Sequence, residues 1–195
     1  TVTDANNNLL KDSDVTLTAS PASLNLEPNG TATTNEQGQA IFTATTTVAA
    51  TYTLKAQVSQ TNGQVSTKTA ESKFVADDKN AELTASSDVQ SLVADGKSTA
   101  KLEVTLFSAN NPVGGNVWVD IEAPEGVTEK DYQFLPSKND HFVSGKITRT
   151  FSTSKPGVYT FTFNALTYGG YEMKPVTVTI TAVDADTAKG EEAMK

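Results

Sequence analysis

The chain has 195 residues, 37% hydrophobic and 19% charged, enough to bury a core in each of two domains of roughly 100 residues. Fifteen Lys and Arg against 23 Asp and Glu leave a net charge of -8, the wrong sign for nucleic acid or an anionic membrane surface as partner. The absence of cysteine and the presence of one histidine, His141, exclude disulfides, thiolate chemistry and the usual zinc and iron–sulfur ligand sets.

Arg149 is the only arginine, so bidentate clamps for phosphate or carboxylate ligands are nearly unavailable. No stretch approaches the roughly 18–20 consecutive apolar residues of a spanning helix, and residues 1–10 have neither the basic start nor the apolar run of a signal peptide. Any export signal or anchor is therefore expected outside this chain. In chain order, short runs alternate threonine with apolar residues, the period of a half-buried strand. They are Val15-Thr16-Leu17-Thr18-Ala19, Ala40-Ile41-Phe42-Thr43-Ala44-Thr45, Thr51-Tyr52-Thr53-Leu54-Lys55-Ala56, Lys101-Leu102-Glu103-Val104-Thr105-Leu106, Val117-Trp118-Val119-Asp120-Ile121, Val158-Tyr159-Thr160-Phe161-Thr162-Phe163 and Val176-Thr177-Val178-Thr179-Ile180. Turn dipeptides punctuate them at Asn29-Gly30, Asn62-Gly63, Asp95-Gly96, Gly114-Gly115 and Gly169-Gly170. The pattern predicts an all-β chain.

An internal repeat sets the architecture. Gly38-Gln39-Ala40-Ile41-Phe42 and Tyr52 recur as Gly145-Lys146-Ile147-Thr148-Arg149 and Tyr159, both offset by 107 residues. Asn7-Asn8-Leu9-Leu10 and Val15-Thr16-Leu17 recur near Asn110-Asn111-Pro112-Val113 and Val117-Trp118-Val119. The reading is two tandem Ig-like β-sandwich domains at 1–79 and 80–184, joined at a polar hinge around Asp77-Asp78-Lys79-Asn80, with a polar tail or linker at 185–195. Each copy is expected to have seven or eight strands. The first copy is expected to lack its N-terminal strand, as a fragment of a longer array would.

The residues that carry a family resemblance are Val93-Ala94-Asp95-Gly96-Lys97-Ser98-Thr99 with Asn110-Asn111-Pro112-Val113 in the second copy, and Thr3-Asp4-Ala5-Asn6-Asn7-Asn8 with Gly30-Thr31-Ala32-Thr33-Thr34-Asn35-Glu36-Gln37-Gly38-Gln39-Ala40 in the first. Together they resemble the bacterial Ig-like (Big-1 type) domains of the invasin and intimin family of outer-membrane adhesins. Leu9 departs from the family's proline, and residues 137–143 depart from its second turn. Gly38 and Gly96 sit where tight turns favour positive φ. Tyr52 and Tyr159 follow corners where a ring is buried and its hydroxyl bonds backbone. Trp118 is either a core residue or an outward-facing contact, and the area an indole must hide favours the core.

Catalysis has little to stand on. His141 lies between Asp140 and Ser144, but residues adjacent on one strand point apart and cannot form a triad. No glycine-rich phosphate loop precedes a helix. Among paired carboxylates, Asp77 and Asp78 at the hinge are the best candidates for calcium, although that ion wants six to eight converging oxygens. For recognition, Tyr168, Tyr171 and Met173 lie on a glycine-flexible hairpin tip, and Tyr132 and Phe134 lie in a second aromatic segment. In both segments the alternative is that the rings fold onto their own sheet.

The resemblance implies a non-enzymatic, extracellular module pair of a Gram-negative surface adhesin. It would act as a rigid stalk and through loops that bind a host-cell or matrix protein, with the parent chain held in the outer membrane by a β-barrel outside this sequence. Charge and motifs lead to the expectation of neither nucleic-acid nor small-molecule partners, and of no cofactor beyond calcium at the Asp77 and Asp78 hinge. Two other readings remain open: a secreted Ig-like effector that binds a bacterial or host protein, and an accessory Ig module of an extracellular enzyme.

Overall fold

The structure, a computed structural model, describes residues 1–60 and 63–186. The chain divides into two compact units, Thr1–Ala76 and Asp77–Lys195. The short polar run at 77–80, with a 3-10 turn at Asp78–Asn80, belongs with the second unit. Most of the tail expected at 185–195, and Asn62 of one turn, lie outside the described residues.

The first unit contains β1 (Asp14–Ser20), β2 (Asn25–Glu27), β3 (Thr31–Thr33), β4 (Thr43–Thr45), β5 (Ala50–Ser59) and β6 (Val65–Phe74). The second contains β7 (Glu82–Ser87), β8 (Ser91–Val93), β9 (Ala100–Ser108), β10 (Asn111–Pro112), β11 (Gly115–Glu122), β12 (Tyr132–Leu135), β13 (Asn139–His141), β14 (Lys146–Thr153), β15 (Gly157–Thr167) and β16 (Val176–Val183).

The second unit is a sandwich. One sheet joins β7, β9, β10, β14 and β12, and the other runs β13-β11-β15-β16-β8. It has more strands than the seven or eight expected, because the first edge segment is split between the sheets and two short strands, β10 and β13, are added. β7 pairs antiparallel with β9, whereas β8 pairs parallel with β16 in the facing sheet. Strict alternation puts Leu102, Val104 and Leu106 of β9 and Phe161 and Phe163 of β15 inside, none more than 1% exposed. Burying side chains of this size contributes roughly 1.5–3 kcal/mol each against leaving them in water.

In the first unit one sheet runs β3-β1-β5-β6, and among the described residues the other consists of β2 and β4. Among the described residues of this unit no strand pairs as β7, β8 or β9 does in the second. The Val2 N–H donates to the Gly38 carbonyl at 2.7 Å and its carbonyl accepts from the Leu10 N–H at 3.0 Å. Leu106 makes the same two bonds in the second unit, to Gly145 at 2.8 Å and from Val113 at 3.0 Å. The run at 40–45 is consequently strand only over Thr43–Thr45, since a strand is held by its neighbours and β4 has β2 alone.

The corners repeat in detail. The Tyr159 ring is fully buried, and its hydroxyl meets the Lys155 carbonyl at 2.9 Å and Thr153 Oγ1 at 2.7 Å. Tyr52 is equally buried and bonds the Val48 carbonyl at 2.8 Å and Thr46 Oγ1 at 3.0 Å, the same partners 107 residues earlier. Burial pushes the Tyr159 phenol above its usual pKa, so it stays protonated and donates. Tyr159→Phe removes the hydroxyl and leaves the Lys155 carbonyl short of a donor, at an expected cost of about 1–2 kcal/mol in urea unfolding; a loss of under a few tenths would show that the corner is only packing. Gly38 and Gly96 do adopt positive φ, +70° and +72°. At Asp95 the carboxylate accepts from the Lys97 and Ser98 N–H groups at 2.8 and 2.7 Å, which fixes the turn and holds that carboxyl below the ordinary range.

Candidate functional site

The residues singled out for recognition fall into two environments. Phe134 is a core residue, stacked on Phe161 with centroids 5.6 Å apart. Tyr132 is half-buried, its ring 5.9 Å from Tyr159 and 6.2 Å from Phe151. The segment at 131–136 thus closes the sandwich.

The loop between β15 and β16 differs. Of all fourteen Phe, Trp and Tyr side chains only Tyr168 and Tyr171 are exposed, at 66% and 41%. The loop is nonetheless tightly built. The Thr167 N–H donates to the Tyr171 carbonyl at 2.9 Å, the Gly170 N–H to the Thr167 carbonyl at 2.9 Å, and the Tyr171 N–H to Thr167 Oγ1 at 3.0 Å. Gly170 needs its φ of +92° to close the turn. The Cδ2–Cε2 edge of the Tyr168 ring lies against Gly114, where a Cβ would come within 2.7 Å of Cδ2. Met173 is half-buried and tied to the sheet by its N–H to the Ala165 carbonyl at 2.9 Å. Two phenol rings are therefore held out from a fixed turn, which costs a partner little ordering entropy on contact.

Gly169 of that loop lies against the Asp78 side chain, and Asp77 Oδ2 accepts from Asn80 Nδ2 at 2.6 Å. The two carboxylates expected to suit calcium thus both lie in the second unit. Among the described residues no three His, Cys, Asp or Glu side chains gather as a metal site would require.

Trp118 is not in the core. Val117 and Val119 take the inner face opposite Ala165 and Phe163, so the period of two sends the indole outward, half-buried, across from Asn139 and Asn164. A strand this regular overrides the preference of a large ring for burial.

The sequence reading missed an inner-face ion pair. Arg149, 4% exposed, lies on the same face of β14 as Ile147 and Phe151. Its Nη2 donates to Asp140 Oδ2 at 2.6 Å, Nε to the Ser137 carbonyl at 2.8 Å and Nη1 to the Thr148 carbonyl at 2.8 Å. The Arg149 guanidinium and the His141 N–H hold the Asp140 carboxyl below its ordinary pKa. His141 is exposed and places Nδ1 3.4 Å from the other Asp140 oxygen. The signal was present in Lys146-Ile147-Thr148-Arg149-Thr150-Phe151, where alternation alone puts Arg149 inside.

These features are those of a regular sandwich with one loop that holds its aromatic rings outward. Residues 1–75 match the bacterial Ig-like domain, group 1. Among solved structures, Yersinia pseudotuberculosis InvD aligns over 95% of this chain and 51% of its own, at 17% identity and a TM-score of 0.50. The Ig-like fold is thereby common to both, and the chain spans about half the length of InvD. The D00-D0 domain of intimin aligns over 90% of this chain and 88% of its own, at 14% identity and a TM-score of 0.44. A glycosyl hydrolase family 2 member from Bacteroides cellulosilyticus aligns over 86% of this chain but 23% of its own, at 18% identity and a TM-score of 0.40. No curated protein matches the chain. The chain is all-β, and its first unit matches a bacterial Ig-like domain.

Proposed function

We propose that this chain is a non-enzymatic pair of Ig-like modules from a bacterial cell-surface adhesin of the intimin and invasin kind, displayed at the outer membrane and in contact with a host-cell or matrix protein through the loop at 167–173. The observation that carries the contact role is the exposure of Tyr168 and Tyr171 alone among the aromatic residues, on a turn locked by its own hydrogen bonds. The match of residues 1–75 to the Ig-like family supports the adhesin setting. The net charge of -8 suits a protein partner over nucleic acid.

Beads coated with the full chain are expected to bind epithelial cells or one of a panel of matrix proteins saturably. The double variant Tyr168→Ala and Tyr171→Ala should lose that binding while its urea unfolding stays unchanged. No binding above an unrelated Ig-like control would overturn the contact role and leave these modules as spacers.

A further inference from the structure

The outward face of the sheet β13-β11-β15-β16-β8 changes character along its width. Over β15 and β16 it is threonine, with Thr160, Thr162, Thr177 and Thr179 at outward positions, the residue type that suits a solvated strand. Around Trp118 it is different. Across the strands Trp118 faces Asn139 of β13 and Asn164 of β15, and Asn116 and Asp120 flank it on the same side of its own strand. Three amides and a carboxylate thus surround the chain's single indole. Asparagine and aspartate are poor strand formers, and a ring placed to strengthen a sheet is best served by aromatic or β-branched residues opposite it. Neither the stability of the sheet nor the core accounts for this grouping.

The indole is half-buried although Asn116, Asp120 and Asn139 beside it are exposed, so it leans on its neighbours in the sheet and keeps part of its ring surface in water. Asn164 is fixed next to it, its Nδ2 donating to Asp120 Oδ2 at 3.1 Å and to the Thr162 carbonyl at 3.4 Å. We propose that Trp118, with Asn116, Asn139, Asn164 and Asp120, forms a binding platform for a neutral glycan. The C–H face of a pyranose ring stacks on the indole, and its hydroxyls, each both donor and acceptor, meet amides that do both and a carboxylate that accepts. Neighbouring strands lie about 5 Å apart and alternate residues of one strand about 7 Å apart, so the four polar groups stand around the indole within reach of hydroxyls that project from a stacked ring. None of the five residues is cationic and the chain carries a net charge of -8, which selects neutral over acidic sugars. The platform is separate from the loop at 167–173 and does not depend on what that loop contacts.

The test uses the full chain, whose single tryptophan is itself the reporter, titrated with cellohexaose, chitohexaose and mannohexaose. A saturable change in Trp118 emission is expected with at least one of these neutral hexamers, and a hexamer of galacturonic acid should bind more weakly than that one. Asn139→Ala and Asn164→Ala should each weaken binding by roughly fivefold, the loss of a hydrogen bond or two. Trp118→Thr, followed by calorimetry, should abolish binding while circular dichroism in urea shows the second unit still folded. The double variant Tyr168→Ala and Tyr171→Ala should bind the hexamer as the native chain does. The proposal is overturned if none of the three neutral hexamers changes the emission saturably, if the asparagine variants bind like the native chain, if the acidic hexamer binds best, or if the loop variant loses binding.

Discussion

Phe151→Ala is expected to destabilise the second unit by about 3–5 kcal/mol, the usual cost of removing a fully buried aromatic ring. Phe151 has no exposed surface and sits where the aromatic core is densest, 4.8 Å from Phe161 and 4.9 Å from Tyr159 between ring centroids. It is paired on one side with Phe134 of β12 and on the other with Ala100 of β9, so neither neighbouring strand can move in to fill the space. Against a typical domain stability of roughly 5–15 kcal/mol, the loss is a large fraction. Trp118 is the only tryptophan and lies in the second unit, so its fluorescence during urea unfolding reports on that unit. A shift equivalent to less than about 1 kcal/mol, below the range for large-to-small core changes, would mean that the sandwich collapses around the cavity.

The second large effect is expected at Asp140. Removing it strands the Arg149 guanidinium, 4% exposed, with two carbonyl partners and no counter-charge. Breaking a buried pair this way typically costs roughly 3–5 kcal/mol; because the Asp140 side chain is itself 31% exposed, about 2–3 kcal/mol is expected for Asp140→Ala. Arg149→Met should cost less, since it removes the buried charge and leaves a carboxylate that reaches water. Equal losses in the two variants would show that packing of the arginine stem, and not the charge, matters. The pH dependence has a definite sign. The folded carboxyl titrates below its unfolded value of about 3.9, so its stabilisation is complete above that value and is lost as pH falls through the lower folded one. Urea midpoints taken from pH 7 down to pH 2 should therefore drop more steeply below about pH 4 in the native chain than in Asp140→Asn.

The fold was legible wherever period and repeat agreed. The runs at Val15, Thr51, Lys101, Val117, Val158 and Val176 all became strands, and the equal spacing of Gly38 to Tyr52 and Gly145 to Tyr159 became a shared corner with matching hydroxyl partners. Short strands such as β2, β3 and β13 have three residues each, too few for a period to show. The run at 40–45 alternates along its length, yet only Thr43–Thr45 pairs as a strand, with β2, because pairing depends on neighbours that a local pattern does not report. For the proposed recognition loop, composition pointed similarly to 131–136 and 167–173. What separated them was the partner across the sheet: Phe134 faces Phe151, whereas Tyr168 lies past the last paired residues, on a turn.

The crossing of the first edge segment between sheets in the second unit decides how that unit bears tension. β8 lies near the start of the unit and runs parallel to β16 at its end; the Ala94 N–H bonds the Val183 carbonyl at 2.8 Å and the Thr181 N–H bonds the Gln90 carbonyl at 2.9 Å. A pull that draws the two termini apart slides these strands in opposite directions along their length. Their hydrogen bonds are then loaded together, in shear, instead of opening one at a time as in a hairpin peeled from its ends. The second unit thus carries a mechanical clamp in its outermost strand pair. In the first unit β6 is held by β5 alone among the described residues, so traction on β6 meets only a hairpin pairing.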